Sequence, residues 1–154
     1  MGAEIFFYIK KRNNAKKSDD LIELCYFCSD IARKLSNILG IPKGYSDSFD
    51  DRYSLISNED IESVINSLNK ELEELHEAIE CNMNEISEFR NDLVKCDNEY
   101  SYNKTLSEIE DINTELSYLR EDKECLKRLI VEVEMILQIS KSNEGYEIRA
   151  EYSY

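Results

Sequence analysis

The sequence predicts an α+β protein, mostly α: a long antiparallel two-helix coiled-coil hairpin joined to a small base of two or three β-strands plus one helix. Three observations carry this. Apolar residues recur in alternating steps of four and three along two successive stretches, the a/d heptad of a coiled coil. No Pro or Gly falls between Gly44 and Gly145, so nothing forces a long helix to stop. Both chain ends, by contrast, are rich in aromatic and β-branched residues with strand character.

In chain order, residues 3–11 read as a strand, because Ile5, Phe6, Phe7, Tyr8 and Ile9 make it apolar on both sides. A basic cluster follows: Lys10, Lys11, Arg12, Lys16 and Lys17 surround Asn13 and Asn14. Such a cluster can contact phosphate, but the reading preferred is a solvated loop that leads to a helix and counterbalances acidic charge elsewhere. Residues 20–39 read as one helix, with a capping-box spacing at Asp20 and Glu23. Its apolar face holds Leu21, Leu24, Cys25, Cys28, Ile31, Ala32, Leu35, Ile38 and Leu39. Gly40 and Pro42 end it. Residues 43–57 read as a loop carrying Tyr45, Asp47, Phe49, Asp50, Asp51 and Tyr53, with a short strand over 53–56. The aspartates lack the alternating spacing and the Gly of a calcium loop.

Ser57 and Asp60 form a second capping box that launches the hairpin. Its first arm has the seam Ile61, Ile65, Leu68, Leu72, Leu75, Ile79, Asn82, Ile86, Phe89, Leu93, Cys96 and Tyr100. Its second arm has Ile109, Ile112, Leu116, Leu119, Lys123, Leu126, Ile130, Val133 and Leu137. A polar stretch at 97–103 separates them, so the arms fold back antiparallel, each about 60 Å long at 1.5 Å per residue. Asn82 and Lys123 are the polar interruptions, able to specify register. After a turn at Asn143, Glu144 and Gly145, the chain end alternates strictly. Tyr146, Ile148, Ala150, Tyr152 and Tyr154 share one face; Glu147, Arg149, Glu151 and Ser153 share the other. The two terminal strands most simply pair with each other, completed by a third strand, the helix or a second subunit.

At 154 residues the chain reads as a single domain, with 1–57 and 141–154 forming the base and 58–140 projecting from it. The net charge is −14, and residues 58–140 hold all of it: 22 acidic against 8 basic residues. The first arm is the more acidic, with ten acids and one base, Lys70, over 59–88. Such a surface keeps a coiled coil soluble and repels nucleic acid. It also suits a basic partner, for which Glu73, Glu74, Glu77, Glu80, Glu85 and Glu88 are the candidate contact residues. Five cysteines, no secretory signal and no apolar run long enough for a membrane span point to free thiols in a reducing cytoplasm.

Catalytic chemistry finds little support. Cys25 and Cys28 form a CxxC, but a zinc site needs four ligands, and there is no second pair and one His in all. Within the expected helix both thiols fall on the apolar side, as buried structural thiols. Glu73 and His76 have the Glu-x-x-His spacing of a di-iron ligand pair, yet His76 stands beside the seam and has no second motif to work with. No phosphate-binding glycine loop, nucleophile elbow or HExxH motif occurs. Two acidic pairs, Glu77 with Glu80 and Glu108 with Asp111, resemble those with which the all-α, MazG-like nucleotide pyrophosphohydrolases hold magnesium. In that family the pairs meet inside a bundle. In an antiparallel hairpin turning near residue 101 they stand on the order of 20 Å apart, too far for one ion.

The expected function is therefore non-enzymatic, without cofactor or metal. The protein reads as an inhibitor or adaptor of the phage or immunity type, presenting an acidic helical surface to a basic, nucleic-acid-handling protein. The Asn-, Lys- and Ile-rich composition suits an AT-rich genome of that kind. The alternatives are a self-assembling structural coiled coil and the MazG-like enzyme. A homodimer is expected, closed through the strand at 146–154, because the small base has little chain left to cover its edge and apolar face.

Overall fold

The first and last segments of the chain are β-strands, and they pair with each other. The computed structural model describes residues 2–43 and 46–154; Gly44 and Tyr45, the latter one of the expected loop aromatics, lie outside them. Strand β1 (Glu4–Lys11) runs antiparallel to β4 (Tyr146–Ser153) over its whole length, from Glu4 opposite Ser153 to Lys11 opposite Tyr146. Strand β2 (Ile22–Cys28) pairs with the other edge of β1, and β3 (Ser54–Ile56) with the other edge of β4. The sheet order is β2-β1-β4-β3, all antiparallel, so four strands form where two or three were expected.

The fourth strand comes from the expected helix at 20–39, which is a correction. Residues Ser18–Asp20 make a single 3-10 turn, Ile22–Cys28 are extended, and only Ser29–Leu39 are helical, as α1. The apolar spacing at Leu21, Leu24, Cys25 and Cys28 is compatible with a helix, but Ile22, Tyr26 and Phe27 suit a pleated surface. The open edge of β1 decides, since its unpaired N–H and C=O groups need a partner. Leu24 is the extra residue of a bulge, as the register slips between Phe7 and Tyr8. Ser29 turns the corner into α1 with φ 57, and its N–H donates to Ala3 O at 2.7 Å. The helix ends as expected. Gly40 sits at φ 65, its N–H reaches Asn37 O, and the Ile41 N–H reaches Ser36 O, the pair of bonds of a Schellman cap.

Inside the expected loop, Phe49–Arg52 form a one-turn helix, α2. Ser57 and Asp60 then exchange the two bonds of a capping box: Ser57 N–H to Asp60 Oδ2 at 2.9 Å, and Asp60 N–H to Ser57 Oγ at 3.1 Å. From there α3 spans Asn58–Lys95 and α4 spans Glu99–Ser142, and the two pack against each other. The chain divides into two compact units, Met1–Ser67 with Val131–Tyr154, and Leu68–Ile130.

In the first unit one sheet face is the core. Ile5, Phe7, Phe27, Ile148, Ala150 and Tyr152 are all buried. Leu35 of α1, Ile61 and Val64 of α3, and Val133 and Ile136 of α4 pack together with Phe7. Val64 and Ile136 lie off the heptad seam because here each helix needs a second apolar face, toward the sheet.

In the second unit the heptad is the core. Ile79, Ile86 and Leu116 are buried, with Ile109, Ile112 and Leu119 packed on them. The break between helices is shorter than the polar stretch suggested. Only Cys96, Asp97 and Asn98 are non-helical, because Asn98 caps α4 by accepting the Ser101 N–H on Oδ1 at 2.8 Å. The seam therefore stops at Cys96, and Tyr100 is 79% exposed. Of the two polar seam residues, Lys123 donates to His76 Nδ1 at 3.3 Å. The Asn82 side-chain N–H₂ is buried with no partner among the described residues.

Two stability outcomes follow from this seam. Ile86→Ala, at a 4% exposed position, lowers unfolding free energy by about 2–5 kcal/mol in urea titrations, and Leu72→Ala at its half-buried position lowers it less. Asn82→Leu raises it by about 1 kcal/mol, because an unpaired buried amide is removed rather than a bond lost.

Candidate interaction surfaces

The outward face of α3 follows from the seam. With Ile79 and Ile86 at a positions, Glu73 and Glu80 fall at b, Glu74 and Glu88 at c, Glu77 at f and Glu85 at g. All six are exposed. Glu73, Glu74, Glu77 and Glu80 occupy two consecutive turns, within about 10 Å of helix rise. Glu85 and Glu88 continue the strip two turns further. Of the six, only Glu80 has a side-chain partner among the described residues, at 3.2 Å from His76 Nε2. Lys123 donates to His76 Nδ1, which leaves the proton on Nε2 to donate to Glu80. His76 is thus a surface link between the seam lysine and the acidic strip. Across residues 68–130 there are 17 acidic and 8 basic side chains, so the strip belongs to a strongly negative body.

The motifs weighed for chemistry are not assembled. Among the described residues no three His, Cys, Asp or Glu side chains converge as a metal site, so Glu77 and Glu80 do not meet Glu108 and Asp111. The cysteine pair needs a correction. Cys25 and Cys28 stand on strand β2, opposite Phe7 and Glu4, and so on opposite faces of the sheet. Cys25 faces the core and is half-buried, while Cys28 is exposed. Burial, helped by Glu132 and Glu23, pushes the Cys25 thiol up to about 11.

The basic cluster is likewise divided. Lys10 belongs to β1 and is buried, donating to Lys11 O at 3.2 Å and Asn13 Oδ1 at 2.9 Å. Arg12 fixes the turn before β4, its Nε donating to Tyr146 O at 2.9 Å. Lys16 pairs with Asp50. Lys11 and Lys17 are exposed.

The second face of the sheet is the surface that sequence reasoning missed. Toward β3 it is a closed charge network. Arg149 is buried and holds Glu147 Oε1 at 2.8 Å, Asp50 Oδ1 at 3.0 Å and Tyr53 O at 2.8 Å, with Phe49 stacked on its guanidinium. Arg52 holds Glu151 Oε1 at 2.8 Å, and Tyr8 donates to Glu151 Oε2 at 3.2 Å. Burial and the Glu151 carboxylate together push the Tyr8 phenol well above its usual range. Toward β2 the same face is open. Tyr26 is 57% exposed and stacks with Phe6 at 5.7 Å, and Phe6 stacks with Tyr8 at 6.3 Å. The alternation of Glu4, Phe6 and Tyr8 along β1 signals this row. The helical reading of 20–39 hid its continuation into Tyr26.

The terminal strand also differs from expectation. β4 is an inner strand, paired with β1 on one edge and with β3 at residues 148–150 on the other. Its apolar face is covered, with Ile148, Ala150 and Tyr152 buried. The premise that 146–154 offers an open edge for a second copy is met only in part: β3 covers 148–150, and among the described residues no strand pairs with the rest of that edge; β2 is an outer strand of comparable length.

At pH 8, Cys28, Cys81 and Cys125 react promptly with an aromatic disulfide reagent, and Cys25 reacts last, checked by peptide mapping of the labelled chain. A raised folded-state thiol pKa favours the neutral form, so Cys25 contributes stability that is full below about 8.5 and lost as pH rises toward about 11. Tyr8 acts in the same sense above about 10, so Tyr8→Phe flattens the alkaline fall in melting temperature. No protein-family model, curated protein or solved structure matches the chain.

Proposed function

We propose that the protein is a non-enzymatic interaction protein whose α3 presents Glu73, Glu74, Glu77, Glu80, Glu85 and Glu88 to a basic protein partner. One observation carries this reading. The six carboxylates are exposed on a helix whose seam is already closed by α4, and of the six the fold engages only Glu80, through His76. With 17 acids against 8 bases the unit carries a net −9, just past the magnitude of about 2–8 that keeps a small domain soluble. A one-signed strip of this length steers a positively charged surface toward it and selects against nucleic acid. An inhibitor or adaptor that occupies the Lys- and Arg-lined groove of a nucleic-acid-handling protein is the form of this function that the charge pattern suits.

The test reverses Glu73, Glu74, Glu77 and Glu80 to Lys. The variant keeps the wild-type circular dichroism, because all four side chains are exposed. Partners captured by the wild type and cross-linked to α3 are lost, and wild-type binding falls steeply as salt is raised past about 0.15 M, where the Debye length is about 8 Å. Equal capture by the variant at low salt overturns the reading.

A further inference from the structure

β2 is an outer strand, and its free edge lies beside the open aromatic row. From Cys25 to Cys28 its residues stand in regular register opposite Phe7, Phe6, Ile5 and Glu4. Its other edge has no strand partner among the described residues. Natural edges are blunted by Lys, Pro or a bulge; β2 carries neither Lys nor Pro, its one charge is Glu23, and its bulge at Leu24 leaves Cys25–Cys28 regular. The register also places the side chains. Glu4, Phe6 and Tyr8 of β1 share a face with Cys28, Tyr26 and Glu23 of β2. On that face three near-parallel rings, with interplanar angles of 26° and 22°, lie between two exposed carboxylates, Glu4 and Glu23.

We propose that the outer edge of β2 takes up an extended basic peptide segment of a partner protein as a fifth strand, with its Lys or Arg side chains over Tyr26 and Phe6 between Glu4 and Glu23. An added strand lies about 4.8 Å from β2, so its side chains on this face reach the Tyr26 ring. Alternate residues of that strand share the face, which matches a segment in which every second residue is basic. Guanidinium and ammonium groups are drawn to aromatic faces and to carboxylates, and the row offers both.

Charge decides against the other occupants. A second copy would bring its own Glu23 and no Lys or Arg on β2 to meet Glu4 and Glu23. A single strand of nucleic acid can stack bases on such rings, but its phosphates would meet Glu4 and Glu23. Of the exposed cations, Lys11 and Lys17 lie at or beyond the far end of β1, and Arg33 and Lys43 are stacked over the Tyr154 ring. The proposal stands apart from the acidic face of α3 and uses none of its residues.

Fluorescence anisotropy of a short labelled peptide alternating Arg and Val, added to the full chain, tests it. The peptide is expected to bind, and its Glu-for-Arg counterpart is not. N-methylation of the peptide amides that face β2 weakens binding by about tenfold, as does the double change Tyr26→Ala with Glu23→Gln on the exposed face. The Glu73, Glu74, Glu77 and Glu80 reversal leaves binding at this edge in place, which separates failure of this proposal from failure of the helix reading. Equal binding by the methylated peptide, or by the Tyr26 and Glu23 variant, overturns the proposal. Tighter binding of a labelled oligothymidylate makes the face a nucleic-acid surface instead. A doubled mass in light scattering with the β2 amides newly protected from exchange makes it a self-interface. Each of these last two outcomes also overturns it.

Discussion

The pairing of β1 with β4 is the constraint on which the rest depends. Eight residues at the start of the chain match eight near its end without a slip, and those two strands form the middle of the sheet. Everything between them must leave and come back. Two long helices folded against each other are the economical way to do so, since they satisfy their own backbone bonds throughout and return the chain to its starting level. The ends of the excursion are held by side chains as well as by packing. Asn58 at the start of α3 accepts a bond from Ser140 near the end of α4, and Lys141 reaches Glu62 at 2.9 Å. Such sequence-distant pairing makes closure of a long loop part of forming the sheet.

The two faces of the sheet meet opposite physical demands. The core face is apolar and closed by helices. The other face hides charge rather than carbon, and Arg149 shows how. A guanidinium that is 5% exposed is tolerable only with its donors taken up, and Glu147, Asp50 and the Tyr53 carbonyl take them up. Because those acceptors come from β4, from α2 and from the residue just before β3, the network also locks the short strand β3 to its neighbour. The network does not extend across β1 to β2, and there the rings of Tyr26, Phe6 and Tyr8 stay within reach of solvent.

The acidic strip on α3 and the row at β2 are built differently, and the partners we propose for them share one chemistry, a cationic group. One is a long, exposed, one-signed face that acts at a distance and weakens with salt. The other is a short edge with backbone bonds to offer, where geometry discriminates more than net charge.

By itself the sequence determined what is local or periodic. The seam from Ile61 to Cys96 and from Ile109 to Leu137, the Ser57–Asp60 capping box, the Gly40 stop, the outward acidic strip and both terminal strands were all legible, because each follows from a repeat or from bonds within a few residues. Tertiary structure decided whatever depended on a distant partner. Residues 22–28 have an apolar spacing that a helix could use, and they became β2 because β1 offered an open edge. Lys10 became buried and Arg149 paired because strands far apart in the chain set them side by side. The row from Tyr26 to Tyr8 exists only once β2 lies in register with β1, and no spacing along the chain encodes a neighbour across a sheet.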